Sequence, residues 1–415
     1  MRQIYTFFLY LLTPLLLLWL WMKPGHRAGM AQRLGNYSQP SPVFYWIHAA
    51  SVGEVLAARP LIEAMLQQFP QRRILVTTFT ATGAQFVHSS FGHRVQHTYL
   101  PLDLPLLVNR FLDAFTPHCA IFLETELWPN AIAGLKRRQI PVMIANGRLS
   151  PKNAHHYARM ASLFRPLLAR IDVVAAQSEA DAARYAELGV STERLQVLGN
   201  LKYDLSLPDN TGMICQELQR QWAGRLVWLA ASTRDGEEEK LLELYPRLSQ
   251  SYPQLLLVLV PRHPQRFDEV AQLVTKAGLS LSRRSQYGGV CQSQVYLGDS
   301  LGELPGFYAA ADVVFMGGSL VPMGGHNPLE AAAVGKSVIV GPHTFNFEEV
   351  YQQLEQQQAM QRADSLPALA KLLEQQLGNV ELRQELGQRA QAVMEKNRGG
   401  VRATLGLIAS LTPGD

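Results

Sequence analysis

The chain has 415 residues, a formal net charge of +4 and a sequence pI of about 8.9, with 47% hydrophobic and 17% charged residues. That length points to two or three domains, and the composition leaves little room for long disorder. So small a positive excess argues against a nucleic-acid-binding protein. It suits anionic small molecules or an anionic membrane surface, or serves solubility alone. Cys119, Cys215 and Cys291 are odd in number and far apart, which argues against a disulfide framework. No C-x-x-C or H-E-x-x-H spacing occurs, so no metal site is expected.

The first predicted element is an uncharged run, residues 4–22 (IYTFFLYLLTPLLLLWLWM). A membrane-spanning helix needs about 20 such residues. The run ends in Trp19, Leu20, Trp21 and Met22, with no small-residue cleavage site, so it predicts an uncleaved anchor over residues 1–22. Pro14 would kink a helix and leaves shallow insertion open as the alternative to spanning. Lys23, His26, Arg27 and Arg33 follow, which by the positive-inside rule places the remainder in the cytoplasm.

A polar linker over residues 36–42 comes next, followed by alternating strand and helix patterns. Residues 43–48 (VFYWIH) predict a strand, 59–69 a helix and 73–78 a strand. Residues 120–123, 142–145, 172–176 and 195–198 predict the remaining strands of this half. Turn residues at 206–212 (SLPDNTG) mark a linker. Strands are then predicted at 225–231, 255–260, 312–315 and 337–340, and two helices over 366–397. Two alternating blocks predict an α/β chain of two Rossmann-like domains facing each other across a cleft, residues 23–205 and 206–415, behind the anchor. In such folds ligands bind beyond the carboxyl ends of the strands.

The conspicuous polar motifs fall at those ends. Ser51, Gly53 and Glu54 follow the first strand; Glu54 reads either as a base for an acceptor hydroxyl or as a carboxylate complementing a helix N-terminus. Glu124 and Glu126 would point the same way if the chain stays extended past residue 123. Arg148 follows the 142–145 strand, and Trp128 is a core residue or a substrate platform. Lys202 precedes the linker; it neutralises developing phosphate charge or is simply solvated. Ser232 and Arg234 follow the 225–231 strand, and the acidic residues to 239 most simply serve the first turn of a helix. Arg262 and His263, at the end of residues 255–260, pair with a phosphate or sit in a solvated loop.

The richest segment is residues 317–330, GGSLVPMGGHNPLE. Gly317, Gly318, Gly324 and Gly325 let backbone approach a ligand, with Ser319 and His326 among them. Asn327 reads as the N-cap and Pro328 as the first residue of a helix whose free N–H groups would seat a phosphate. Glu330, one turn in, would accept from a ribose. The alternative is that Asn327 and Glu330 form a capping box only. The segment is neither a Walker loop nor a G-x-G-x-x-G fingerprint.

Seven blocks together resemble one family, the 3-deoxy-D-manno-octulosonic acid (Kdo) transferases of Gram-negative bacteria. They are HAASVGE (48–54), ETELWPN (124–130), NGRLS (146–150), GNLKYD (199–204), PRHPQRF (261–267), GGHNPLEAAA (324–333) and GPHTFNF (341–347). The resemblance implies a GT-B fold, CMP-Kdo as donor, lipid IVA as acceptor, no metal or other cofactor, and a place at the cytoplasmic face of the inner membrane. It implies Glu54 as general base assisted by Glu124 and Lys202. It implies CMP binding by Arg262, His263, Gly302, Glu303, Leu304, Asn327, Pro328, Leu329 and Glu330, an acceptor-binding first domain, and a final helix tending to cross back to it. Ser51, Gly53, Arg148, Ser232, Gly318, Ser319 and His326 complete the candidate set as further cleft residues. The rival readings are a nucleotide-sugar 2-epimerase on the same fold and a non-catalytic membrane-bound nucleotide-sugar-binding protein.

Overall fold

Strands with apolar side chains on both faces are stable only in a sheet that helices cover on each side. The computed structural model describes residues 1–22, 27–38, 40–286 and 288–412, and contains two such sheets in two compact units. Unit 1 comprises Met1–Asp204 and Asn397–Asp415, and unit 2 comprises Leu205–Lys396.

The sheet of unit 1 contains β1 (Tyr45–His48), β2 (Ile74–Thr78), β3 (Gln96–Tyr99), β4 (Cys119–Leu123), β5 (Val142–Gly147), β6 (Val173–Ala176) and β7 (Leu195–Val197). They are parallel, in the order β3-β2-β1-β4-β5-β6-β7, with Tyr45 flanked by Ile74 and Cys119. Alternate residues feed two cores. Trp46, Leu75, Phe122 and Ile144 face one; Ile47, Val76, Ile121 and Met143 face the other. The order reverses between β1 and β4, and the crevice at such a switch point is where doubly wound sheets place ligands.

Unit 2 repeats the scheme with β8 (Leu226–Thr233), β9 (Leu255–Pro261), β10 (Leu281–Arg283), β11 (Val295–Leu297), β12 (Val313–Met316), β13 (Val338–Val340) and β14 (Gln361–Arg362). The order is β10-β11-β9-β8-β12-β13-β14, again parallel, with the reversal between β8 and β12. Four strands carry no sequence signal: β3, β10, β11 and β14. They have two to four residues each and lie at or near sheet edges, too short or too polar to register as apolar runs.

The C-terminus corrects the simple division at residue 206. Three helices close the chain rather than two: Leu366–Leu377, Val380–Asn397 and Gly400–Leu411. The last belongs to unit 1, where Val401, Leu405 and Ile408 join the core of the helix Val52–Gln68. Asp204 secures its start, accepting from the N–H of Gly399 at 2.6 Å and of Val401 at 2.5 Å.

The N-terminal run is one continuous helix, Arg2–Met22, despite Pro14. Its length and composition suffice to cross a membrane, with a mean hydropathy of 1.8 in its most apolar stretch. One side rests on unit 1. The Tyr5 hydroxyl donates to Asp103 at 3.1 Å, Thr6 bonds Asn130, and Leu20 is buried with Leu102, Leu104 and Leu107. Phe7, Phe8, Leu11, Leu15, Leu18 and Trp21 are exposed. Lys23 and His26, two of the charges behind the orientation rule, lie outside the described residues. Arg33 is no flanking surface charge: it is fully buried, donates to the Phe79 carbonyl at 2.5 Å and lies against the Phe79 and Tyr99 rings.

Candidate active site

At the switch point of unit 1, β1 runs into the helix Val52–Gln68, which starts seven residues earlier than its apolar spacing predicts. Ser51 is its N-cap and Glu54 lies in its first turn. The Glu54 N–H donates to Ser51 Oγ at 3.4 Å, while the Glu54 carboxylate accepts from the Ala50 N–H at 2.6 Å and from Ser51 Oγ at 2.9 Å. This is a capping arrangement, so the bland reading of Glu54 holds. It does not exhaust the residue. Burial, then the Glu126 charge and the Glu124 charge, outweigh those hydrogen bonds and push the Glu54 carboxyl up to about 8. Gly53 is exposed beside it.

Glu124 and Glu126 reach the site, but not by extended alternation. Glu124 takes a left-handed backbone, φ 55°, and the chain turns there. For a residue other than glycine this conformation costs of order 1 kcal/mol and marks a place where geometry outweighs local preference. The turn leaves Glu124 4.0 Å from Lys202 Nζ. Asn146, also left-handed at φ 54°, accepts from the Leu201 N–H at 3.0 Å and so steadies the short turn Leu201–Tyr203 that carries Lys202. The Arg148 side chain is exposed, and its carbonyl accepts the Thr125 hydroxyl.

Sequence reading leaves His48 and Thr77 out. His48 is fully buried at the end of β1, with Nε2 3.4 Å from Glu126 Oε2 and Nδ1 2.9 Å from Thr77 Oγ1. The Trp128 indole N–H donates to Glu126 at 2.8 Å, so Trp128 supports a carboxylate. Burial would push Glu126 up, but His48 and Trp128 hold it below the usual range. The proton affinities of two neighbouring carboxyl groups are thus shifted in opposite directions. The only signal for His48 was its place within the HAASVGE block.

The pairing sets a pH dependence. On the expectation that Glu54 is the base, a role it can fill only above its pKa, kcat/KM should climb with pH through about 8. Glu126→Gln removes the largest charge acting on Glu54 and should move that limb to lower pH. A pH–rate profile of the two proteins checks it; coincident limbs would exclude Glu126 from tuning Glu54.

At the switch point of unit 2, Ser232, the last residue but one of β8, is left-handed at φ 57°, with an irregular register beside it. Gly317 follows β12 so closely that a Cβ there would lie 2.5 Å from the Ser232 carbonyl oxygen. The acidic run after residue 234 does more than serve a helix. Glu237 is fully buried and accepts four backbone N–H groups, from Arg234 at 2.9 Å, Gly318 at 2.6 Å, Ser319 at 3.0 Å and Leu320 at 2.9 Å. Glu238, equally buried, pairs with Arg266 at 2.7 Å.

This narrows the expected phosphate seat. The amides of residues 318–320 are held by Glu237, that of Gly325 by the Gly318 carbonyl, and that of Leu329 by Asn327 Oδ1. The helix is Leu329–Ala333, five residues flanked by Pro328, and not a longer one from Asn327. The Ser319 hydroxyl is also engaged, donating to the Met316 carbonyl and accepting from the Gly341 N–H. Several of these amides are therefore engaged within the protein, and side chains are a second source of anion-binding capacity. Arg234 donates to Nε2 of His263 at 2.5 Å and of His326 at 3.3 Å, so both imidazoles are unprotonated on that nitrogen. Burial and the charges of Arg234 and Arg262 push His326 down to about 3, and the same causes lower His263. Arg266 is neutralised by Glu238, Glu269 and Asp235, whereas Arg262 is exposed with no ion pair among the described residues.

Two further candidates behave differently. Gly302 is left-handed at φ 79° and exposed; the helix Leu304–Ala310 starts beside it. Glu303 is committed to Arg284, at 2.8 and 2.9 Å, so any contact it makes with a ligand competes with that pair. Glu330 is half-buried, and after burial itself its charge is the next cause that pushes the Tyr308 hydroxyl well up. No group of three or more His, Cys, Asp or Glu side chains suited to a metal ion occurs among the described residues.

Comparison with known proteins places this geometry. Residues 28–205 match the family model described as 3-deoxy-D-manno-octulosonic-acid transferase (kdotransferase). The chain is 42% identical over 417 residues to the 3-deoxy-D-manno-octulosonic acid transferase of Haemophilus influenzae, covering 98% of both chains. It is 37% identical to the Bordetella pertussis protein of the same name, covering 97% of this chain and 98% of that one. Among solved structures it resembles the UDP-GlcNAc 2-epimerase of Neisseria meningitidis, with a TM-score of 0.56 and 13% identity, over 89% of this chain and 100% of that one. At that identity the likeness shows the fold alone: α/β, two Rossmann-like domains of the GT-B kind.

Proposed function

The chain belongs to the Kdo transferases, a family of glycosyltransferases, and from that premise we propose that it moves Kdo from CMP-Kdo to lipid IVA with inversion at the anomeric carbon, Glu54 serving as general base. In that reaction the acceptor hydroxyl oxygen forms a bond to the anomeric carbon as the bond to the CMP phosphate breaks. CMP leaves with the electron pair, and the acceptor proton passes to Glu54. One carboxylate suffices, because a phosphate leaves without a strong acid.

The observation that carries the reading is the place of Glu54, half-buried in the first turn after β1 beside Glu124 and Glu126, where burial and their charges push its carboxyl up to about 8. A base must hold a proton well enough to take one from a hydroxyl. Lys202 beside Glu124 adds the cation that developing phosphate charge calls for. In unit 2, Arg234, Arg262, His263 and His326 suit the anionic donor, with residues 302–304 and 327–330 completing the proposed CMP site. No metal and no nucleic acid enters the proposal. The helix Arg2–Met22 would hold the protein at the cytoplasmic face of the inner membrane, where a lipid acceptor is found.

The epimerase reading has only the shared fold behind it, and the family relationship at 42% identity favours transfer. The non-catalytic reading likewise has no observation of its own, and the family relationship favours an enzyme. The test is mass spectrometry of the product formed from CMP-Kdo and lipid IVA in excess EDTA. Kdo-bearing lipid IVA is expected; an unmodified acceptor or an epimerised donor would overturn the proposal.

A further inference from the structure

The helix Arg2–Met22 touches unit 1 near both ends, at Tyr5 and at Leu20. Those residues lie about 22 Å apart at 1.5 Å per residue, so the helix lies along the domain rather than leaving it. Its polar contacts are specific. Asp103 is 3% exposed and accepts from Tyr5 and from the N–H groups of Asn130 and Ala131, the latter two at 2.9 and 2.8 Å.

Beside its first turns are two adjoining cavities that share Met1, Ser162 and Leu163. One, about 280 Å³, is polar in part and is lined by Arg2 and Arg170. The other, about 420 Å³, is walled by Ile4, Phe8, Leu12 and Leu163. Arg2 feels the positive charges of Arg137 and Arg170. Arg2 also feels the negative charge of the buried Asp103, though less than the two positive ones, and neither Arg2 nor Arg170 forms a salt bridge among the described residues. Converging cations in excess of their one nearby counter-charge invite a phosphate. A mainly apolar groove next to them, with Arg159 at its wall, invites a hydrocarbon chain.

We propose that these cavities form one binding site for a phosphorylated, acylated glycolipid, its phosphate on Arg2 and Arg170 with Arg137 alongside, and an acyl chain in the groove of Ile4, Phe8, Leu12 and Leu163. The proposal rests on the acceptor reading above and names how that acceptor is recognised. The site is tied to the carboxylate cluster by one segment: Glu126 stands at its start, and Pro129 and Ala133 line the polar cavity. The N-terminal helix is then part of the substrate site as well as a membrane contact.

The test uses the full chain in dodecyl maltoside micelles, with calorimetric titration of lipid IVA and of lipid IVA stripped of its phosphates. The double variant Arg2→Ala, Arg170→Ala should bind lipid IVA at least tenfold more weakly, and the dephosphorylated lipid within twofold of wild type. Equal affinity of wild type and variant for lipid IVA would overturn the site. Equal weakening for both lipids would overturn the phosphate assignment. Flotation on phosphatidylglycerol vesicles should be unchanged in the variant; a matching loss there would show a general anionic-lipid contact and overturn the proposal. Wild-type protein that binds lipid IVA in this way yet makes no Kdo product would sink the acceptor's role in transfer and leave the site standing.

Discussion

Glu54→Gln should lower the transfer rate by about 10²–10⁴-fold, the range removed with a general base, while CMP-Kdo binds within twofold of wild type. The substitution isolates chemistry from architecture. Glutamine at the third helical position still supports a capping box, so the helix Val52–Gln68 should keep its start. The melting temperature is the control, and a change below about 1 kcal/mol is expected for a cap of this kind. What the amide removes is the ability to take a proton, along with the charge conflict that Glu126 and Glu124 impose. Turnover within tenfold of wild type would remove Glu54 from the mechanism. A large fall in both rate and melting temperature would assign it to the fold.

Glu237→Ala should destabilise unit 2 on the order of 3 kcal/mol or more, because four backbone N–H groups lose one buried acceptor at once. At about 2–4 °C per kcal/mol for a domain of this size, the melting transition should fall by roughly 6 °C or more. Donor binding should fall with it, at least tenfold by calorimetric titration with CMP-Kdo. The same carboxylate holds both the loop at 318–320 and the backbone of Arg234, whose side chain reaches His263 and His326. Glu237→Gln keeps one acceptor oxygen and should fall between the two. A variant that melts with wild type would mean that the loop finds its geometry without the carboxylate.

Glu54 and Glu237 also mark the limit of reading by pattern. Glu54 was legible because it sits at a strand end within a block that resembles a family. Glu237 sat in an acidic run that helix electrostatics explains equally well. The difference is its burial, and burial depends on where residues 317–320, some eighty positions later, pack. His48 was hidden for a similar reason: an apolar strand displays a terminal histidine the same way whether it is core or partner to a carboxylate. The phosphate seat went the other way. Its glycines and its Asn-Pro pair were visible, but whether the amides were free was a question about partners far along the chain.

The long apolar strands, their alternation with helices and the turn residues near 206 determined by themselves that this is an α/β chain of two Rossmann-like units behind an apolar helix. Those features follow from local periodicity and propensity, which need no distant partner. The order of strands, the edge strands β3, β10, β11 and β14, and the return of the last helix to unit 1 were decided only by tertiary packing. So were the left-handed turns at Glu124, Asn146 and Ser232. A residue accepts that strain only when contacts from elsewhere repay it, and those contacts join positions too distant in the sequence for local preference to foretell.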